Sequence, residues 1–175
     1  SLGAFGVGIC MKDSSDFTLL ENNLIYKPRG LYLDQSPYHP RTVNVFERNN
    51  ILYNSSGVQF QVSRERSIFK ENVIKGNIEP VVSDTPRNNL DINDWSGNYW
   101  DMYEGFDKNG DGYGDIPYKH YVYADKLWLY NPNVKFFYGS VIMDLLNFLA
   151  KFIPFSEPEL LAVDNKPMME YKIAK

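Results

Sequence analysis

The sequence predicts an all-β protein, a parallel β-solenoid in which short strands stack coil upon coil, closed by a C-terminal capping region. A repeated pattern of glycine, apolar, variable and apolar residues indicates the coils, and a second short apolar run beside an asparagine follows each copy. The copies begin at Gly8, Gly30 and Gly57, and these separations of 22 and 27 residues are typical of solenoid repeats. A leucine-rich repeat, the competing solenoid, requires leucine at many fixed positions and a helical return, and the pattern shows neither.

Alternation within the first strand of each coil predicts which side chains face the interior. Successive side chains of a strand point to opposite faces, so both apolar positions of a repeat face inward and the residue between them faces outward. The predicted inward columns are Ile9, Leu31 and Val58, and Met11, Leu33 and Phe60, while the predicted outward column is Cys10, Tyr32 and Gln59.

The asparagine that follows the second apolar run defines a further column, predicted to comprise Asn23, Asn50 and Asn72. Side-chain amides that recur at one turn can bond to the amides above and below, so we expect an internal asparagine ladder. In this register the five additional residues of the second coil fall in segment 35–40, which we expect to be a surface loop.

Length, charge and cysteine content limit the classes of protein. The chain has 175 residues, enough for one domain with its own core, and we divide it into coils at 1–89 and a capping region at 90–175. A formal net charge of −4 without a basic cluster argues against a nucleic-acid partner. The single cysteine, Cys10, excludes an intrachain disulfide, and no apolar stretch reaches the about 18 residues of a membrane span.

Because the coils begin in mid-register at Gly8, we expect further coils and any export signal to lie upstream.

Segment 107–118 matches the first part of a calcium-binding EF-hand loop. Oxygen-bearing side chains stand at positions 1, 3, 5 and 9, with a glycine at position 6 and a backbone carbonyl available at position 7. The expected calcium ligands are Asp107, Asn109, Asp111, Asp115 and the carbonyl of Tyr113. Position 12 is Tyr118 rather than glutamate, so water or a distant acid, Asp101 or Glu104, would complete the shell. The alternative is an Asp- and Gly-rich turn closed by its own hydrogen bonds.

An aromatic run precedes this loop, at Trp95, Tyr99, Trp100 and Tyr103. Such clusters can form platforms for sugars, but more often they belong to a core. We expect these rings to seal the end of the solenoid.

The last third of the chain predicts one α-helix and an extended tail. The helix spans 140–152, with Ser140 as its N-cap and Pro154 after its end, and its apolar side chains, among them Phe148 and Phe152, cover two sides. Either the solenoid or a protein partner therefore covers its outer side. The tail places Met168 and Met169 side by side; two thioethers suit cuprous copper, although adjacent methionines are also simple hydrophobic plugs.

Several linked motifs of this second half carry a family resemblance. They are Gly97-Asn98-Tyr99-Trp100-Asp101, the Asp-rich segment 107–118, Asp125-Lys126-Leu127, the helix ending in Phe152-Ile153-Pro154, and the closing Asp164-x-x-Pro167-x-Met169. In this order they resemble the C-terminal half of the NosD family, which takes part in maturation of nitrous oxide reductase in denitrification.

The resemblance implies a right-handed, pectin-lyase-like parallel β-helix and a periplasmic, non-enzymatic accessory protein. Such a protein docks on the ABC transporter NosFY and helps to install the copper-sulfide centre of nitrous oxide reductase. Family members are described as copper-binding and often carry histidine before the proline of the closing motif, where this chain has Lys166. The copper candidates carried over are therefore Met168 and Met169, and the partner-binding candidates are Phe148, Phe152 and Pro167.

Two other functions compete with this interpretation. Polysaccharide-binding or -processing proteins use the same fold, but their chemistry needs paired carboxylates on one outward sheet, and the outward column of Cys10, Tyr32 and Gln59 supplies none. A structural solenoid stabilised by calcium, without any copper role, fits every observation except the family resemblance.

Overall fold

The computed structural model describes residues 6–63, 65–83, 92–122, 141 and 159–171. These residues form fourteen strands, which confirms an all-β fold. The predicted helix at 140–152, with Phe148 and Phe152, lies outside the described residues apart from Val141. The strands are β1 (Val7–Lys12), β2 (Thr18–Leu20), β3 (Asn23–Ile25), β4 (Arg29–Asp34), β5 (Asn44–Glu47), β6 (Asn50–Leu52), β7 (Ser56–Gln61), β8 (Ser67–Lys70), β9 (Val73–Lys75), β10 (Glu79–Ser83), β11 (Asp94–Ser96), β12 (Tyr99–Trp100), β13 (Tyr118–Val122) and β14 (Glu159–Asp164).

The strands stack into three sheets, one for each side of the coil. The sheet orders are β1-β4-β7-β10, β12-β9-β6-β3 and β13-β14-β11-β8-β5-β2. Every third strand along the chain therefore pairs with its equivalent in the next coil, and these pairings are parallel. The predicted parallel β-solenoid is confirmed, with about three turns. No helix within the described ranges is long and apolar enough to cross a membrane.

Glycine recurs at the start of each coil because the neighbouring coil leaves no room for a side chain. A Cβ added to Gly30 would lie 2.7 Å from the carbonyl oxygen of Gly57, and one added to Gly57 would lie 2.6 Å from that of Pro80. Such distances are well inside van der Waals contact, so the close stacking of β1, β4, β7 and β10 requires glycine there. The repeat seen in the sequence is thus a packing requirement.

The predicted inward columns are confirmed in the first sheet. Leu31, Leu33, Val58 and Phe60 have no measurable exposure, and Met11 is 8% exposed. The parallel register pairs Ile9 with Leu31 and Leu31 with Val58, as the glycine alignment requires.

The predicted outward column is confirmed only in its first two members. Cys10 is exposed and Tyr32 is partly exposed. Gln59 is buried, at 6% exposure, as is Val82, its partner in β10. The outer face of this sheet is therefore covered towards its C-terminal end.

The internal asparagine ladder exists, but its predicted register is wrong by one residue in two coils. The ladder consists of Asn22, Asn49, Asn72 and Asn98. The first two coils carry consecutive asparagines, and the period alone does not distinguish the two registers. Asn23 and Asn50 instead begin β3 and β6, and the amide of Asn50 donates to Asn23 Oδ1 at 2.7 Å.

The ladder links each coil to the next through one side-chain carbonyl. The Oδ1 atoms of Asn49, Asn72 and Asn98 each accept hydrogen bonds from the backbone N–H and the side-chain amide of the preceding asparagine, at 2.9–3.1 Å. The same three amides each donate to a strand carbonyl of the preceding coil at 2.9 Å. Burial makes each of these bonds costly to lose, because an unpaired buried polar group costs about 1–3 kcal/mol.

A second, shorter ladder lies at the next turn of the coil and was not predicted. Asn77 Oδ1 accepts the backbone N–H and the side-chain amide of Asn54, both at 2.9 Å. Asn54 Oδ1 in turn accepts the backbone N–H of Lys27 at 2.9 Å. At this turn, too, an asparagine of one coil accepts the N–H of the coil before it.

Aromatic rings fill the interior towards the C-terminal end. Phe46, Phe69 and Trp95 stack along the solenoid axis, with ring centroids 4.7 and 3.9 Å apart. Trp100 lies beside Trp95 at 5.3 Å and stacks on Tyr118 at 4.6 Å. Stacked pairs of this kind contribute about 0.5–1.5 kcal/mol each beyond the area they bury.

The prediction that the run from Trp95 to Tyr103 belongs to the core is confirmed for its tryptophans. Trp95 and Trp100 are each 2% exposed. Tyr99 and Tyr103 are partly buried at the border of the core.

The expected surface loop at 35–40 is confirmed in part. Tyr38, His39 and Pro40 are exposed, whereas Ser36 and Pro37 are buried. The Ser36 hydroxyl donates to the carbonyl of Ser14 at 2.7 Å and therefore holds the base of the loop against the first coil.

Beyond β11, the third sheet continues into strands that are distant in sequence. β14 pairs with β11 in parallel, through Trp95 and Asp164, and β13 pairs with β14 in the antiparallel direction. The division at residue 89–90 stays a prediction.

We expect the substitution Asn72→Ala to lower the free energy of unfolding by about 2–4 kcal/mol. It removes the oxygen that accepts the backbone N–H and the side-chain amide of Asn49. It also removes the amide that donates to Asn98 Oδ1. Asn22→Ala is the matched control. Among the described residues no asparagine donates to Asn22, which is partly exposed, so its loss should cost less than about 1 kcal/mol. Urea unfolding followed by tryptophan fluorescence measures both, and equal losses would contradict the ladder's role.

Candidate functional site

Asp164 ends the asparagine ladder and ties the C-terminal tail to the solenoid. Its Oδ2 accepts the backbone N–H of Asn98 at 2.8 Å, the Asn98 amide at 2.9 Å and the Trp100 indole N–H at 3.1 Å. Its Oδ1 accepts the backbone N–H groups of Gly97 at 3.1 Å and Lys166 at 3.0 Å. Five N–H donors thus surround a carboxylate that is fully buried.

A carboxylate suits the end of such a ladder because it only accepts. An asparagine there would bring an amide that needs an acceptor in a further coil, whereas both oxygens of Asp164 are satisfied by donors already present. Charge-assisted hydrogen bonds of this kind are the stronger class and offset the cost of burying the charge. Asp164 belongs to the closing motif of the sequence, but its role is not predictable from the sequence, because 66 residues separate it from Asn98.

The tail after Asp164 runs between the solenoid and the Asp-rich loop. The N–H of Met168 donates to the carbonyl of Asn98 at 2.9 Å. On its other side, Gly114 donates to the carbonyl of Pro167 at 2.8 Å and Met169 donates to that of Gly112 at 3.0 Å. The tail therefore fixes the loop to the last coil through backbone hydrogen bonds.

The copper candidates lie in this tail, where Met168 and Met169 are both partly buried. Met168 forms β-bridges to Tyr99 on one side and to Tyr113 on the other, so its backbone is extended. Adjacent side chains of an extended segment point to opposite faces, and this arrangement does not favour joint binding of one copper ion by both thioethers. A copper site at these two residues stays a prediction. Pro167, proposed to contact a partner, is buried.

The Asp-rich loop is closed by its own hydrogen bonds. The carboxylate of Asp107 accepts backbone N–H groups from Gly110 at 2.6 Å, Asp111 at 3.2 Å and Gly112 at 2.8 Å. Asp111 Oδ1 accepts the N–H of Tyr113 at 2.9 Å, and a carboxylate oxygen of Asp115 accepts that of Lys108 at 2.6 Å.

The predicted calcium site is not supported by this geometry. No three histidine, cysteine, aspartate or glutamate side chains are grouped to hold a metal ion within the part of the chain that the structure describes. The carboxylates of Asp107, Asp111 and Asp115 are turned to backbone N–H groups of their own loop. The loop matches the alternative that the sequence left open, a turn closed by Asx-type hydrogen bonds.

A shallow groove crosses the second ladder turn on the outside of the solenoid. Tyr26 and Tyr53 stack there with centroids 5.4 Å apart and are 76% and 45% exposed. Gly76 leaves room for the Tyr53 ring, which any Cβ at that position would overlap. Ile78 completes the apolar lining. A tyrosine recurs in the sequence three residues after Asn23 and Asn50, but no groove was predicted there.

Burial perturbs two titratable groups at the end of the core. It lowers the pKa of His120 to about 4. The Nε2 atom of His120 lies 3.3 Å from the carbonyl oxygen of Val81. Burial also raises the pKa of Tyr118, whose hydroxyl lies 3.2 Å from His120 Nδ1. Both groups are therefore neutral at pH 7 and act as packing side chains.

Comparison with known proteins connects these features to one family. The sequence model of the family described as "Periplasmic copper-binding protein (NosD)" matches residues 3–105. A curated "Probable ABC transporter binding protein NosD" from Stutzerimonas stutzeri is 30% identical over 133 residues, which are 75% of this chain and 30% of that protein. The protein of the same name from Pseudomonas aeruginosa is 29% identical over 133 residues, 75% of this chain and 31% of that protein. The matched region therefore spans under a third of the length of these relatives.

We expect the carboxyl group of Asp107 to titrate below its ordinary value of 3.8, because the N–H groups of Gly112, Gly110 and Asp111 lower its pKa. A lowered pKa in the folded state stabilises the loop at pH values above about 4, and this contribution is lost as the pH falls through the lowered pKa. NMR titration of the Asp107 carboxyl carbon measures the shift, with the urea-unfolded protein as the control. A midpoint at or above that of the unfolded protein would contradict the hydrogen-bonded loop.

Proposed function

The chain belongs to the NosD family, and from that premise we propose that it is part of a periplasmic accessory protein that docks on an ABC transporter and assists assembly of the copper-sulfide centre of nitrous oxide reductase. The proposal concerns a protein longer than this chain, because the match covers under a third of each curated relative.

The observation that carries the proposal is the family match over 3–105, the part of the chain that contains nearly all of the solenoid. The two curated relatives are named as probable ABC transporter binding proteins. The proposal that this chain also binds an ABC transporter is supported by a sequence identity near 30%. Proteins this similar share a fold, and a shared binding role agrees with that.

The architecture supports a binding role. Each coil is joined to the next by parallel strand pairing and by the ladder from Asn22 to Asp164, so the surface side chains are held on a rigid support. A preorganised surface loses little conformational entropy when a partner binds. The relatives are named as binding proteins, and we propose that this chain likewise has no enzymatic activity of its own.

We propose that the copper role belongs to the assembled complex. The family description is copper-binding, and thioethers are suitable ligands for cuprous copper, but the extended backbone at Met168 separates the two methionine side chains. Delivery of copper through partners that this scaffold brings together agrees better with that geometry than a copper site formed by Met168 and Met169 alone.

Deletion of the gene that encodes the whole protein tests the proposal. We expect nitrous oxide reductase purified from the deletion strain to lack the absorption bands of its copper-sulfide centre and to reduce no nitrous oxide. Expression of the intact gene in trans should restore both properties. A reductase with a complete centre in the deletion strain would contradict the proposed function.

A further inference from the structure

Residues 101–117, which we call the acidic lobe, carry a large share of the charge of the chain. The segment contains five acidic side chains and one basic side chain, a net charge of −4 that equals the formal net charge of all 175 residues. The rest of the chain is therefore neutral overall. The charged residues are Asp101, Glu104, Asp107, Lys108, Asp111 and Asp115.

The same lobe exposes three large apolar side chains. Met102, Phe106 and Ile116 are 63%, 54% and 47% exposed. Single exposed apolar residues are common, but a group of three within one strongly charged segment is typical of an interaction surface. Neither the solenoid core nor the asparagine ladder uses these side chains.

Two hydrogen bonds join the backbone segments that carry Phe106 and Ile116, and one of them comes from Tyr103. Its hydroxyl donates to the carbonyl of Ile116 at 2.7 Å, and the N–H of Asp115 donates to the carbonyl of Phe106 at 2.9 Å. The Tyr103 ring passes between Gly105 and Gly114, where any Cβ would overlap the hydroxyl end of the ring. Two segments that carry Phe106 and Ile116 are therefore fastened side by side before any partner binds.

We propose that the acidic lobe is the surface through which the protein docks on its ABC transporter, and that it receives a transporter segment presenting basic side chains beside apolar ones. This inference rests on the proposed function and names the site and the chemistry of the contact. The apolar group supplies burial, and the net negative charge of the lobe attracts lysine and arginine and steers the approach. The same negative charge disfavours an anionic lipid surface, so the partner is a protein.

Binding to the transporter in nanodiscs of zwitterionic lipid tests the proposal, with the whole protein as analyte in biolayer interferometry. We expect the double variant Phe106→Ser/Ile116→Ser to raise the Kd at least tenfold. We expect the same of the single variant Glu104→Lys. The matched controls are Ile78→Ser, an equally exposed apolar residue of the outer groove, and Asp13→Lys, an exposed acid of the first coil. Both controls should bind within twofold of the unaltered protein.

The outcomes separate this inference from the function on which it rests. If the unaltered protein binds and the lobe variants bind equally well, the acidic lobe is not the docking surface, although the proposed function stands. If the unaltered protein does not bind its transporter, both are overturned. Equal binding to nanodiscs without transporter would indicate a lipid contact and also overturn the inference. Glu104→Lys changes only an exposed side chain, so it remains decisive if the apolar double variant fails to fold.

Discussion

One constraint recurs in every coil: a buried peptide N–H at a sharp turn needs an acceptor that the strand ladder does not provide. The residue before each ladder asparagine has a left-handed backbone, with φ of 55° at Glu21, 51° at Arg48, 55° at Glu71 and 69° at Gly97. This conformation turns the chain from one sheet to the next and leaves the following N–H inside the solenoid. The asparagine of the next coil supplies the acceptor, so every coil depends on the coil that follows it.

This dependence makes the end of the solenoid as important as its repeats. The last asparagine, Asn98, needs an acceptor from outside the repeat, and Asp164 provides it from the C-terminal tail. Once Asp164 is in place, the residues after it bond to the last coil on one side and to the Asp-rich loop on the other. The position of the acidic lobe relative to the solenoid therefore depends on the same carboxylate that ends the ladder.

Repetition explains which features the sequence predicts well. The glycine column, the inward columns and the existence of an asparagine ladder all recur with the coil, and each recurrence adds evidence for the same structure. The error at Asn23 and Asn50 arose where two neighbouring asparagines made the register ambiguous. The burial of Gln59 was missed because it depends on packing against the outer face of one sheet, and no strand alternation encodes that packing.

The site was less predictable because its contacts join residues that are far apart in the chain. Asp164 meets Asn98 across 66 residues, and neither residue alone indicates the other. The Asp-rich loop has the oxygen spacing of a calcium loop, but the same spacing also suits a turn whose carboxylates bind their own backbone, so the spacing alone does not distinguish the two arrangements. The charge of the acidic lobe is visible in the sequence, but the exposure of its apolar side chains is not.

Hydrogen–deuterium exchange in the variant Asp164→Ala tests the central claim most directly, namely that Asp164 couples the ladder to the tail and the loop. The account predicts faster exchange at the N–H groups of Gly97 and Asn98, which lose their acceptor, and also at Gly114 and Met169, which bond only within the tail and loop. Exchange in β1, β4 and β7 should stay unchanged. The claim would be contradicted if exchange became faster only at Gly97 and Asn98 and protection at Gly114 and Met169 stayed unaltered.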